Sequence, residues 1–293
     1  MSTATAAVRA PVAASLKGIL VMVIGCGVLT LSDAVSKHLT LTYPVGQIVC
    51  LRHIAALFVI VPYGYFVSGR AALVPHNHRD LFIRGLMFTA TACLIVLGVK
   101  LLPLATASSI AFASPIFVAL LAMQVLGERV TRAMWVGIIV GFAGVLVMLR
   151  PGAASFEWAL LVPLAAAIAS AGRDLWSRKL ARTDSSIGIL LWSSVVVILV
   201  SALSAFWGWT MPDATGVAWL VLLGVLNAVA QFMMIEGFRL GEASVIAPFK
   251  YTGLVWAAVI GFLVWGDVPD GWTFAGALLI LAGGLQLARQ DKK

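Results

Sequence analysis

Several side chains able to do chemistry lie where the surrounding sequence leaves little room for water. Lys250 sits in the apolar run Glu242 to Trp265, about 5 Å from its midpoint at the 1.5 Å rise of a helix. A lysine at that depth cannot snorkel fully to an interface, so its ammonium needs protein, water or a ligand beside it. Such an ammonium can bind a carboxylate. Asn227 and Gln231 share a helix face with Gly224, and their amides can meet both the ammonium and the carboxylate of a zwitterion or serve as interhelical glue. Ser108 and Ser114 put hydroxyls on another apolar run, where Pro115 removes a backbone donor. Tyr251 and Trp256 add aromatic surface next to Lys250, as a cavity wall or as packing. Asp33, Arg52, His53 and Asp174 are ionisable groups suited to gating or coupling. Their structural alternatives are helix-end ion pairs (Asp33 with Lys37, Asp174 with Arg178) and, for His53, a hydrogen-bonded core position.

Composition says what must position these groups. With 61% hydrophobic residues, 11% charged and a mean hydropathy of +1.03, the chain lies far from soluble globular composition and reads as an integral membrane protein. The net charge of +8 is dispersed among apolar runs rather than gathered in a patch, which argues against a nucleic-acid partner. Cys26, Cys50 and Cys93 all fall inside apolar runs and read as packing residues, not a disulfide framework. No cleaved signal peptide is expected, because the first apolar segment is too long for a signal core.

A hydropathy window marks ten expected spans, near 17–39, 44–67, 81–100, 103–126, 132–149, 157–177, 185–207, 216–237, 242–265 and 271–288. An amino terminus in the cytoplasm places fifteen basic residues on that side, Arg84 and Arg173 among them, and three on the other (Lys37, Lys100 and Arg150). The positive-inside rule therefore predicts cytoplasmic termini. Eight of the ten tryptophans fall near span ends, Trp192 and Trp256 being the exceptions.

The chain also repeats itself. Asp33, Ser36 and Lys37 match Asp174, Ser177 and Arg178 at an offset of 141. Gly85, Gly98 and Lys100 match Gly224, Gly237 and Arg239 at 139, and Glu128, Gly137 and Gly144 match Asp267, Gly276 and Gly283 at the same offset. Between them Ala107-Ser108 matches Ala243-Ser244 at 136, which aligns Ser114 with Lys250. Four blocks in one order divide the chain into residues 1–150 and 151–293, five spans each. A unit with an odd number of spans must enter the membrane in opposite senses in its two copies, so the halves form an inverted repeat. That architecture belongs to transporters with a site near the midplane. Gly137 and Gly141 form a GxxxG packing pair that says nothing of function.

Ten spans in two inverted fives, Arg52 early in the second span, and the Gly127-Glu128 and Gly266-Asp267 signatures closing the fourth and ninth resemble the drug/metabolite transporter superfamily, EamA family. The resemblance covers nearly the whole chain and extends to Ala247–Ala257, APFKYTGLVWA. It implies an all-α protein of the bacterial inner membrane that moves small metabolites by alternating access. Export of amino acids, aromatic ones included, is the first expectation. Import of a vitamin or nucleoside such as riboflavin is the alternative, and a membrane enzyme or structural subunit a more distant one. No phosphate-binding loop, metal-binding set or nucleophile triad is apparent, so no cofactor, metal, catalytic residue or ATPase subunit is expected. The expected partners are a small-molecule substrate and the lipid bilayer.

Overall fold

The computed structural model describes residues 12–69, 73–111, 113–114, 117, 121, 132–149, 157–180, 183–240, 249–250, 252–268 and 270–290. Among them the regular structure is helical. The first half contributes α1 (Val12–Leu39), α2 (Val45–Tyr63), α3 (His78–Leu101), α4 (Leu104–Ala111) and α5 (Arg132–Leu149). The second contributes α6 (Leu161–Leu180), α7 (Ser186–Ala202), α8 (Ala214–Leu240), α9 (Thr252–Trp265) and α10 (Gly271–Gln290). Helices are the form an apolar chain must take in lipid, where each backbone N–H and C=O has to be paired within its own segment. Polar caps mark several starts. Asn77 accepts from the Asp80 N–H ahead of α3, Ser185 from Gly188 ahead of α7, Asp213 from Gly216 ahead of α8, and Asp270 from Thr273 ahead of α10. Six segments are long and apolar enough to cross a membrane: 16–39, 45–67, 78–101, 158–177, 186–207 and 214–234. α5, α9 and α10 carry shorter apolar stretches.

The major contacts join one half to the other and respect the exchange of halves. α1 packs on α8 as α6 packs on α3; α2 packs on α8 as α7 packs on α3; α1 packs on α9 as α6 packs on α4. α5 on α10 and α2 on α7 are their own counterparts. The repeat glycines lie at these contacts. A Cβ on Gly85 would strike Val196 of α7, and one on the matching Gly224 would strike the Arg52 carbonyl and Ala55 of α2.

At α5 and α10 the reciprocity is explicit. A Cβ on Gly144 would come 2.7 Å from the Gly276 carbonyl oxygen, and one on Gly283 would come 2.6 Å from the Gly137 carbonyl oxygen. Because Gly144 faces Gly276 while Gly283 faces Gly137, the helices run antiparallel. The exchange relating them is therefore a twofold perpendicular to both, as an inverted repeat requires. The two largest buried clusters among the described residues are Leu104, Ile110, Val145, Ala257 and Ile280 with their neighbours, and Ile48, Phe88, Val96, Val197 and Leu223 with theirs.

Candidate functional site

Where the crossing helices cannot close against one another they leave a cavity of about 150 Å³, room for roughly ten waters. Each wall is one face of a helix. α1 presents Cys26, Thr30 and Asp33 at steps of four and three, and α8 presents Asn227, Gln231 and Met234 at the same steps. α6 contributes Pro163, Ala166, Ser170 and Arg173. Phe88, Ile95 and Val99 of α3 form an apolar side, Ser108 lies on α4 with Ser114 beyond it, and Arg52 enters from α2. Lys250, just ahead of α9, completes the lining.

Asp33, Arg52, Ser108, Ser114, Asn227, Gln231 and Lys250 thus converge from five elements, and Lys250 shares the cavity with its repeat counterpart Ser114. Asp174 joins them through two lining residues. Its carboxylate accepts from Arg173 at 2.8 and 3.0 Å and lies 4.0 Å from the Lys250 ammonium. Arg173 also donates to Ser170 at 2.9 Å. At the Asp33 side the charge partner is Arg52. Arg52 is 5% exposed and Ser114 8% exposed, and among the described residues neither the Arg52 Nε–H nor the Ser114 Oγ has a partner. Buried donors without partners are rare in folded chains. Both belong to residues that line the cavity.

The helix-end ion pair suggested for Asp33 does not form. Lys37 reaches across the halves to Asp267 at 3.1 Å and lies 4.5 Å above the Trp265 ring. One turn separates Asp33 from Lys37, but the end of α9 sits closer to the lysine while Arg52 attends the aspartate. The Arg178 side chain, Glu128, Pro115 and Tyr251 lie outside the described residues.

Besides Asp174, which reaches the cavity through Arg173 and Lys250, two described residues nominated from the sequence stand outside the cavity lining. The His53 Nδ1 is 2.8 Å from the Val49 carbonyl, which can only accept, and the ring packs edge-on against Phe88 at 5.2 Å. Trp256 donates to the Val23 carbonyl at 3.2 Å and packs over Gly27, serving the α1–α9 contact. Trp192 likewise donates to the Leu73 carbonyl at 2.9 Å.

Two arginines counted by sequence as cytoplasmic topology charges are internal. Arg173 lines the cavity. Arg84 is 6% exposed, donates through Nε to the Ser177 hydroxyl at 2.7 Å and through a terminal nitrogen to Ser193, and stacks on Phe88 at 5.6 Å. The available signal for Arg173 was its place three residues after Ser170 and seven after Ala166, on a small-residue face. Cys26, read as packing, is also a lining residue.

A model of the EamA-like transporter family matches residues 16–150 and 157–288, one match for each half. The chain is similar to an S-adenosylmethionine uptake transporter of Rickettsia prowazekii, 28% identical over 264 residues that cover 90% of each chain. It is 29% identical over 278 residues to a pseudopaline exporter of Pseudomonas aeruginosa, covering 94% of this chain and 97% of the other. A riboflavin transporter of Vibrio cholerae is 27% identical over 278 residues, 91% of each chain. One solved crystal structure superposes with a TM-score of 0.66 over 96% of this chain and 99% of its own, at 20% identity, and so shares the fold.

Proposed function

The chain belongs to the EamA-like transporter family, and from that premise we propose a secondary transporter that carries small amino-acid-type metabolites by alternating access through the cavity between its halves. It is an integral membrane transporter; the substrate class, the ten-span count, the cytoplasmic termini, the two units 1–150 and 151–293 and the inner-membrane location are our reading. One observation carries the substrate class. Within a single cavity Arg52, Arg173 and Lys250 offer donors for a carboxylate, Asp33 offers an acceptor for an ammonium, and Asn227 and Gln231 can serve either. The apolar side formed by Phe88, Ile95 and Val99 suits a side chain, aromatic ones included.

In this reading Asp33 and Asp174 are repeat-related carboxylates whose basic partners exchange with substrate. The Lys37–Asp267 pair, roofed by Trp265, ties α1 to α9 and closes one end of the pathway. An inverted repeat has two such ends by construction, and opening them in turn is alternating access. Export of amino acids is the direction we propose. Import of a vitamin is a second reading, supported by the similarity to a riboflavin transporter.

Counterflow in proteoliposomes tests both. Vesicles preloaded with unlabelled amino acids should draw in labelled phenylalanine, tryptophan or glutamate, with and without a proton gradient. Counterflow of riboflavin alone supports the second reading, and absence of flux for every amino acid removes the first.

A further inference from the structure

Among the described side chains the charges around the cavity do not balance. Arg52, Arg173 and Lys250 line it, and Arg84 stacks on its Phe88 wall within electrostatic reach of Arg173 and Asp174. Against these four cations the acidic groups among the described side chains are two, Asp33 and Asp174. Guanidinium groups do not deprotonate in proteins. Glu236 does not correct this, because two residues beyond Met234 is about 200° around α8, on the opposite face. Away from the cavity the part-buried Lys37 pairs with Asp267, and the exposed Lys179 covers the buried Asp80.

Arg52 and Arg84 are buried and Arg173, Lys250 and Asp174 are part-buried, and a surplus of charge at that depth is unfavourable unless something of opposite sign is brought to it. The local bonding leaves the surplus intact. Arg84 is held by two neutral hydroxyls, those of Ser177 and Ser193, and the Arg52 Nε–H has no acceptor among the described residues. We infer that the preferred ligand of this cavity is a carboxylate-rich metabolite with a net negative charge of one or two, in preference to a neutral zwitterion or a cation. This rests on the cavity being the substrate site, as proposed above. It sharpens the amino-acid class to members that carry additional carboxylates, whose oxygens take the donors of Arg52, Arg173 and Lys250 while an amino group keeps Asp33.

Three probes on one scaffold test it: L-glutamine, L-glutamate and γ-carboxy-L-glutamate, with net charges of zero, minus one and minus two. Thermal stabilisation of the purified protein in nanodiscs gives half-saturating concentrations, and inhibition of counterflow gives an independent ranking. The expected order is γ-carboxyglutamate tightest and glutamine weakest, with about ten-fold between neighbours. Arg173→Gln lowers the surplus by one, and should shrink the step from glutamate to γ-carboxyglutamate to less than about three-fold. Glutamine binding as tightly as glutamate overturns the inference, as does failure of all three to stabilise the protein. Counterflow of neutral amino acids or S-adenosylmethionine without the acidic probes also overturns it while leaving the transport reading intact. Loss of counterflow for every solute, with the binding order as expected, removes the transport reading and keeps the ligand class.

Discussion

Replacing Gly283 by alanine places a methyl group 2.6 Å from both the Gly137 carbonyl oxygen and the Gly141 nitrogen, and 2.8 Å from the Gly141 Cα. None of these is the end of a flexible side chain. Ordinary contact begins near 3.4 Å, so α5 and α10 must part by roughly 0.8 Å along that line. Overpacking of this kind costs about 1–3 kcal/mol. The counterpart Gly144→Ala meets the Gly276 carbonyl oxygen at 2.7 Å and the Ile280 nitrogen at 2.9 Å, and should cost the same. The double variant should cost less than the sum, because once the helices have parted the second methyl finds space. Thermal unfolding of the purified protein, followed by tryptophan fluorescence, should show each single variant several degrees below the parent. Gly271→Ala, with no heavy atom within 4 Å, is the control and should be neutral. If Gly283→Ala unfolds with the parent, or if the two singles differ widely and add in full, α5 and α10 do not meet reciprocally and the twofold relation between the halves is wrong.

The site and the loops give further expectations. Lys250→Ala should leave a folded protein with transport reduced at least ten-fold, and Lys250→Arg should rescue only part of it, because a planar fork replaces a compact ammonium; normal flux in the alanine variant would remove Lys250 from the site. Asp267→Asn deprives Lys37 of its partner at 3.1 Å, and a part-buried pair worth about 1 kcal/mol corresponds to roughly a five-fold shift toward the open form. In a Cys50→Ser, Cys93→Ser background, a membrane-impermeant maleimide applied from the Lys37 side should then label the lining residue Cys26 faster by that factor; an unchanged rate refutes the closing role. Asp184, in the loop before α7, is pushed up by burial but held below the ordinary carboxylate range by the His76 backbone N–H, the Thr183 hydroxyl and the His76 ring. Its contribution to stability is therefore present above the ordinary carboxylate pKa and lost as pH falls through the lower folded value. Thermal unfolding measured between pH 7 and pH 3 should show that acid limb in the parent and a weaker one in Asp184→Asn.

Sequence by itself determined the membrane class, the helical elements and the repeat. Each is written in local terms: hydropathy over about nineteen residues sets a span, Asn77, Ser185, Asp213 and Asp270 sit where helices begin, and constant offsets between Gly85 and Gly224 or Gly144 and Gly283 need no coordinates. The helix faces carrying Asn227 with Gln231, and the alignment of Ser114 with Lys250, were legible for the same reason. Only the tertiary structure decided which charges meet. Lys37 leaves Asp33, four residues away, for Asp267, 230 residues on, because proximity of one helical turn in sequence counts for less than the approach of α1 to α9. Arg84 and Arg173 look like topology charges in a window of apolar residues, and become internal once α3 and α6 pack together. His53 and Trp256 fall away from the cavity through a rotation of about 100° per residue, which a span assignment leaves free and packing against α3 and α1 settles. A charge's partner in a bundle is set by helix rotation and register between segments distant in the chain, and those are fixed only when the halves close on each other.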